Sequence, residues 1–345
     1  MSGISLAGIA ALIGLMPLPG LCADWSPKLA AGYLDAREKE WAEWPQAAAQ
    51  GGTCFSCHTG MTYLLARPQL RRVLRENQAT PYEKSLLDGL RSRLDRTDPK
   101  EGFGHFTKEP LASEALGVEA IFAALFLQSE QAFDRMWALQ IQDGKAKGSW
   151  PWFQLDLDPW ETTDSPYYGA AVAALAVGAA PAAYRDRPEI RARVAALTEY
   201  LHREEASQPL HNRLMLLWVA SALPGAVLKT DVDGLIDEVL KKQQADGGWT
   251  IASLGPWKER PQSPPSVGSN AYATAFITFV LVREGVADPR LTRALDWLRA
   301  NQNSVGLWEA ASMNKHFTPG SMQDQFMRDA ATGFAALALV KAEIR

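Results

Sequence analysis

The sequence predicts an all-α fold, an (α/α)6 toroid of six helical hairpins, and three observations predict it. A Gln-x-x-x-Gly-x-Trp run occurs from Gln243 to Trp249 and from Gln302 to Trp308, and a longer version runs from Gln142 through Gly148 to Trp150. Each run follows an amphipathic segment. Before the last one, Leu291, Ala294, Leu295 and Leu298 fall on one helical face, and Arg293, Asp296 and Arg299 lie away from it. Each run also precedes a segment that is apolar nearly all round, at 168–177, 271–282 and 330–340, which is the pattern of a helix buried on every side.

Taken in order, residues 1–23 are expected to be a secretory signal. The apolar stretch from Ile4 to Leu21 ends before Asp24, with cleavage expected after Ala23. An uncleaved membrane anchor is the competing reading, and Pro17 and Pro19 favour cleavage. Residues 24–80 form the first hairpin and residues 81–345 the rest of the toroid. In this register the hairpins span 26–76, 81–130, 131–181, 187–224, 233–285 and 290–345, punctuated by Pro81, Pro181, Pro188, Pro224 and Pro289. Each offers one amphipathic and one apolar helix, so a closed ring with the apolar helices inside buries every apolar face. An open solenoid needs capping repeats at its ends, and none is visible.

Composition excludes several classes. With 345 residues, 47% hydrophobic and 21% charged, the chain is long enough for a large core and unlike a disordered or polytopic membrane protein. A net charge of −4 provides no basic footprint for nucleic acid and no polybasic segment for a membrane surface.

Cys54-Phe55-Ser56-Cys57-His58 is the densest chemical signal in the chain. Two thiols spaced for thioethers, followed by an axial histidine, are what covalent attachment of haem c requires. A disulfide or a thioredoxin-type redox pair is the competing reading. Zinc would need a second cysteine pair, whereas loss of residues 1–23 leaves Cys54 and Cys57 as the only cysteines.

The turns ending at Trp150, Trp249 and Trp308 resemble the QW motif of squalene–hopene cyclases and the related protein prenyltransferases, over about residues 80–345. That resemblance implies a toroid in which these glutamines and tryptophans brace structure. The acid motif of the cyclases is incomplete here, because Asp156-Leu157-Asp158-Pro159 has proline where the third carboxylate would stand. The combination resembles a cyclase-like cytochrome c family.

In this register His58 lies at the toroid mouth, level with Glu119, Asp164, His211, Asn270 and Asp329. These groups have a plain role in complementing helix starts. Asp164 and Glu161, with Trp160, Tyr167 and Tyr168 close by, form a candidate acid pair in an apolar pocket, and Asp158 is a third candidate acid. For the sixth iron position the candidates are Met327, then His316, then His105. The function expected from these features is that of an exported, periplasmic haem c protein transferring electrons or performing oxidoreduction on a hydrophobic, isoprenoid-like small molecule, with a redox partner protein. A non-redox terpenoid cyclase or lyase, and a non-catalytic binding module, are the alternatives.

Overall fold

The structure, a computed structural model, describes residues 25–49, 52–94, 108–263 and 267–344. The expected signal segment and His105 lie outside the described residues.

Prolines and short polar caps start five of the six outer helices, α10 (Lys229–Lys241) being the exception. Ser26 caps α1 (Pro27–Glu43) by accepting from Leu29 N, and Thr80 and Glu83 form a reciprocal capping box on α3 (Pro81–Arg91). Proline likewise opens α8 (Pro188–Glu204) and α12 (Pro289–Ala300), where its missing N–H costs nothing. With α5 (Glu130–Ala138) and α10 (Lys229–Lys241) these are the outer helices. The inner helices are α2 (Gly60–Val73), α4 (Leu111–Leu127), α6 (Ser165–Ala179), α9 (Leu210–Ala222), α11 (Ala271–Glu284) and α13 (Met322–Glu343). A single turn, α7 (Ala182–Arg185), links the third and fourth hairpins. The strands among the described residues are the two-residue β1 (Ala48–Ala49) and β2 (Gly52–Thr53), paired antiparallel.

Inner helices pack in the order α4, α6, α9, α11, α13, α2. The first and last hairpins therefore meet, through α13 on α2 and α1 on α13, and the fold is the closed (α/α)6 toroid rather than a solenoid. Buried Phe55, in the turn that leads into α2, packs on α4, with ring centroids 4.8 Å from Phe122 and 5.4 Å from Phe126.

The repeated turns explain how neighbours are held. Trp150, Trp249 and Trp308 are fully buried and donate from Nε1 to Met136 O, Val239 O and Leu298 O, each in the preceding outer helix. Gln243 Nε2 donates to Gly247 O within its own turn and to Arg290 O in the next hairpin, both at 2.8 Å. Gln302 repeats this with Gly306 O and Ser26 O. In the longer turn the bracing residue is Gln140, which reaches Gly148 O and Arg193 O. This corrects the register read from Gln142, which is exposed and bonds only to Gln140 O among the described contacts. Gly148, Gly247 and Gly306 have φ of 96°, 97° and 97°, and a Cβ there would strike the backbone of Ala196, Arg293 and Leu29. The glycine admits the next outer helix, and the glutamine ties it down.

Candidate functional site at the toroid mouth

The turn from Cys54 to His58 leads into α2 and is anchored on all sides. Trp41 Nε1 donates to Cys54 O at 2.7 Å, Cys54 N donates to Ala47 O at 2.7 Å, and Arg93 Nη2 donates to Thr53 O at 2.6 Å. Ser56 Oγ accepts from Thr59 N and Gly60 N, satisfying two N–H groups at the start of α2. Cys57 is buried, Cys54 is half-buried, and both are free thiols. Burial pushes Cys54 up to about 12 and Cys57 upward as well, so both are protonated at neutral pH.

His58 is clamped between aromatic rings. Phe326 stacks on it at 3.6 Å between centroids with 17° between planes, and Trp41 meets it edge-on at 5.3 Å. Its Nδ1 lies 2.9 Å from Thr59 Oγ1. Burial first, and then the Arg37 charge, lower its pKa to about 3, so the imidazole is neutral.

Two cavities flank this ring. One, of about 310 Å³, is lined by His58, Asp158, Trp160, Glu161 and Met327; the other, of about 300 Å³, by Trp44, Cys54, Cys57, His58 and Glu161. Phe326 stands in the wall of both. Their roof is built from loops of several hairpins. Leu157 and Glu161 exchange backbone hydrogen bonds at 3.0 and 2.9 Å, Asn314 exchanges two with the Asp158 backbone at 2.9 Å, and Arg260 holds Asp158 Oδ2 at 3.1 Å.

The predicted site residues separate in this frame. Cys54, Cys57, His58, Asp158, Glu161 and Met327 converge on the two cavities. Burial pushes Glu161 up to about 7, assisted by the Glu114 charge, and burial also raises Asp158 against the opposing pull of Arg260. Asp164 does not join Glu161, contrary to expectation. It is exposed at the start of α6, where the helix turns its side chain to solvent, and it makes no capping bond. His316 is also exposed, and its backbone N donates to Gln262 O at 2.9 Å, away from the His58 cavity.

Met327 and Asp329 were expected just before an inner helix that starts at Ala330. They lie inside α13, because Ser321 caps the helix by accepting from Asp324 N and its polar first turns escape an apolar pattern. Glu119 is likewise inside α4, within 3.2 Å of Arg93, rather than at its start. Among these level groups Asn270 is a true cap, accepting from Ala273 N. Sequence reasoning missed Thr59 and Phe326 at the site; the only available signal for Thr59 was its position next to His58.

Among the described residues no helix is long and apolar enough to cross a membrane. No family model matches the chain, and no curated protein matches it. Solved structures do match. An inactive variant of an α-1,6-mannanase, GH76A of Salegentibacter sp. HEL1_6, is 12% identical over 91% of this chain and 99% of its own, with a TM-score of 0.48. The ent-copalyl diphosphate synthase from Streptomyces platensis is 17% identical over 91% of this chain and 48% of its own, with a TM-score of 0.32. A possible GH105 member from Salmonella enterica is 13% identical over 93% and 83%, with a TM-score of 0.33. The likeness concerns the arrangement of helices and does not carry an activity across. The expectation of electron transfer or oxidoreduction on an isoprenoid-like molecule is corrected on this point: the similar structures include a GH76 mannanase and a possible GH105 member, which are glycoside hydrolase names and not redox ones.

Proposed function

We propose that residues 54–58 hold a covalently attached haem c, with thioethers at Cys54 and Cys57 and His58 as an iron ligand, and that the cavities beside His58 receive a small ligand. The observation that carries this reading is the donor set. Two free thiols precede a neutral, ring-clamped histidine whose Nδ1 is engaged by Thr59, leaving Nε2 for a metal. No group of three or more His, Cys, Asp or Glu side chains is arranged to hold a metal among the described residues, and an iron already held by a porphyrin needs only one such nitrogen. When bound, the haem supplies an iron centre that coordinates small ligands. The chain's own part is to tether, to orient the imidazole through Phe326 and Trp41, and to enclose the site with Trp160 and the loop pinned by Leu157 and Glu161.

The test is expression with the c-type maturation machinery. The wild type is expected to show a haem band that survives denaturing electrophoresis, and Cys54→Ser/Cys57→Ser to lose it. A colourless wild type, or a double variant that keeps covalent haem, overturns the reading.

A second reading is favoured by Glu161. A carboxyl pushed to about 7 shares a cavity with the Arg260-paired Asp158, and two carboxyls in unlike surroundings are suited to general acid–base hydrolysis, of glycosides among other substrates. Turnover of aryl glycosides that falls about 10²–10⁴-fold in Glu161→Gln supports it; no turnover by the wild type removes it.

A further inference from the structure

We infer that Asp329 is a positioning residue for His58, fixing through Thr59 which imidazole nitrogen carries the proton. The inference rests on the haem reading for its purpose, while the relay itself is a property of the folded chain.

Asp329 lies on α13 with no solvent exposure. Its Oδ1 accepts from Tyr33 OH at 2.8 Å and from Arg37 Nε at 2.8 Å. Its Oδ2 accepts from Arg37 Nη2 at 3.1 Å and from Thr59 Oγ1 at 2.7 Å. A carboxylate offers about four acceptor positions, and a hydroxyl has one proton to give. Here four donors engage the carboxylate, and the single Thr59 proton is committed to it. Toward His58 Nδ1, 2.9 Å away, Thr59 Oγ1 therefore acts as the acceptor. Nδ1 carries the hydrogen and Nε2 keeps its lone pair, the form a histidine needs to bind metal through Nε2.

The three parts of the relay come from distant stretches of chain. Tyr33 and Arg37 stand on α1, Thr59 precedes α2, and Asp329 lies 270 residues beyond Thr59. Contact between the first and last hairpins is thus what sets the tautomer. A chain that left its ring open would lose the Asp329 acceptor and with it the preference for Nδ1–H.

Asp329→Asn is the sharpest variant. The asparagine amide is able to donate to Thr59 Oγ1, freeing the hydroxyl to donate to His58 Nδ1 and moving the imidazole proton to Nε2. The full-length chain, labelled with 15N-histidine and produced without the maturation machinery, reports the tautomer by two-bond 15N–1H correlation. The wild type is expected to show His58 as Nδ1–H, and Asp329→Asn as Nε2–H. Thr59→Val leaves the Arg37–Asp329 pair intact and covers the case in which Asp329→Asn does not fold; its expected result is loss of the single Nδ1–H pattern. A wild type with Nε2–H, or an unchanged Nδ1–H pattern in either folded variant, overturns the inference. A tautomer that switches in a protein that never acquires haem overturns only the haem reading, and covalent haem with an unresponsive tautomer overturns only the relay.

Discussion

Gln302 in the last hairpin is bonded to Ser26 in the first in both directions: its Oε1 accepts from Ser26 N at 2.6 Å, and its Nε2 donates to Ser26 O at 3.1 Å. The bond that ties one hairpin to the next elsewhere in the ring here ties the end of the chain to its beginning. Gln302→Ala leaves both Ser26 groups and Gly306 O without this partner, and is expected to lower stability by about 1–3 kcal/mol. Gln142→Ala, on an exposed side chain outside the bracing position, is expected to stay within about 0.5 kcal/mol. Urea unfolding of both variants checks the pair, and equal losses would contradict the assignment of Gln140 as the bracing residue of its turn.

Trp308→Ala removes a fully buried indole together with its bond to Leu298 O at 2.8 Å. A loss of about 3–5 kcal/mol is expected from the cavity left behind. Trp308→Phe retains most of the packing and is expected to lose less. Thermal or chemical melts that place the two variants level would show that the indole fills no essential space.

The ring was legible because its period is written twice, in apolar faces and in punctuation. Pro81, Pro188 and Pro289 stand at helix starts, and the glycine of each Gln-Gly-Trp turn occupies a left-handed position beside the next helix. The longer turn is ambiguous in the sequence, because counting back from Gly148 cannot tell Gln140 from Gln142 when the loop between carries an insertion. At the mouth, sequence proximity misled in a different way. Asp164 is three residues from Glu161 yet points to solvent, whereas Asp158 and Glu161, also three apart, line one cavity, because backbone bonds between Leu157 and Glu161 fold that stretch back on itself. Asp329 was read as a helix-start group because its partners Tyr33, Arg37 and Thr59 are brought to it only by closure.

Glu161 is expected to make stability fall as pH rises between about 4.5 and about 7. Its folded-state value of about 7 lies above the 4.5 of an unperturbed glutamate, so in this window the unfolded chain binds fewer protons than the folded one. The stabilisation is fully present below about 4.5 and is lost above about 7, by up to about 3 kcal/mol. His58 and His211, lowered by burial to about 3 and about 4, act in the opposite direction as pH rises toward 6.5. The difference between wild type and Glu161→Gln isolates the Glu161 contribution. A difference that does not change between pH 4.5 and pH 7 would contradict the buried, protonated carboxyl.

Met327 is the methionine that lines a cavity together with His58 and would be the candidate second ligand of a haem iron there, and the other sulfurs face elsewhere. Met61 Sδ accepts from Tyr168 OH at 3.5 Å, Arg37 Nη2 lies 3.0 Å from Met322 Sδ, and Met313 lines a neighbouring cavity. Met327 is buried in the wall of the cavity it shares with His58, while exposed His316 is held to Gln262 O outside it. Met327→Leu conserves volume and is expected to cost less than about 1.5 kcal/mol, so a change in the iron's surroundings is separable from a change in folding. In haem-loaded protein, Met327→Leu is expected to abolish the ferric absorption band characteristic of a methionine–iron bond and to speed carbon monoxide binding to the reduced form, and His316→Ala to change neither. The band is a property of the sulfur ligand and not of packing. A band that survives Met327→Leu, or that disappears in His316→Ala, would exclude Met327 as the ligand. If the wild type lacks the band and already binds carbon monoxide as fast as the variant, Met327 is a packing residue and the cavity beside His58 is open to the small ligand itself.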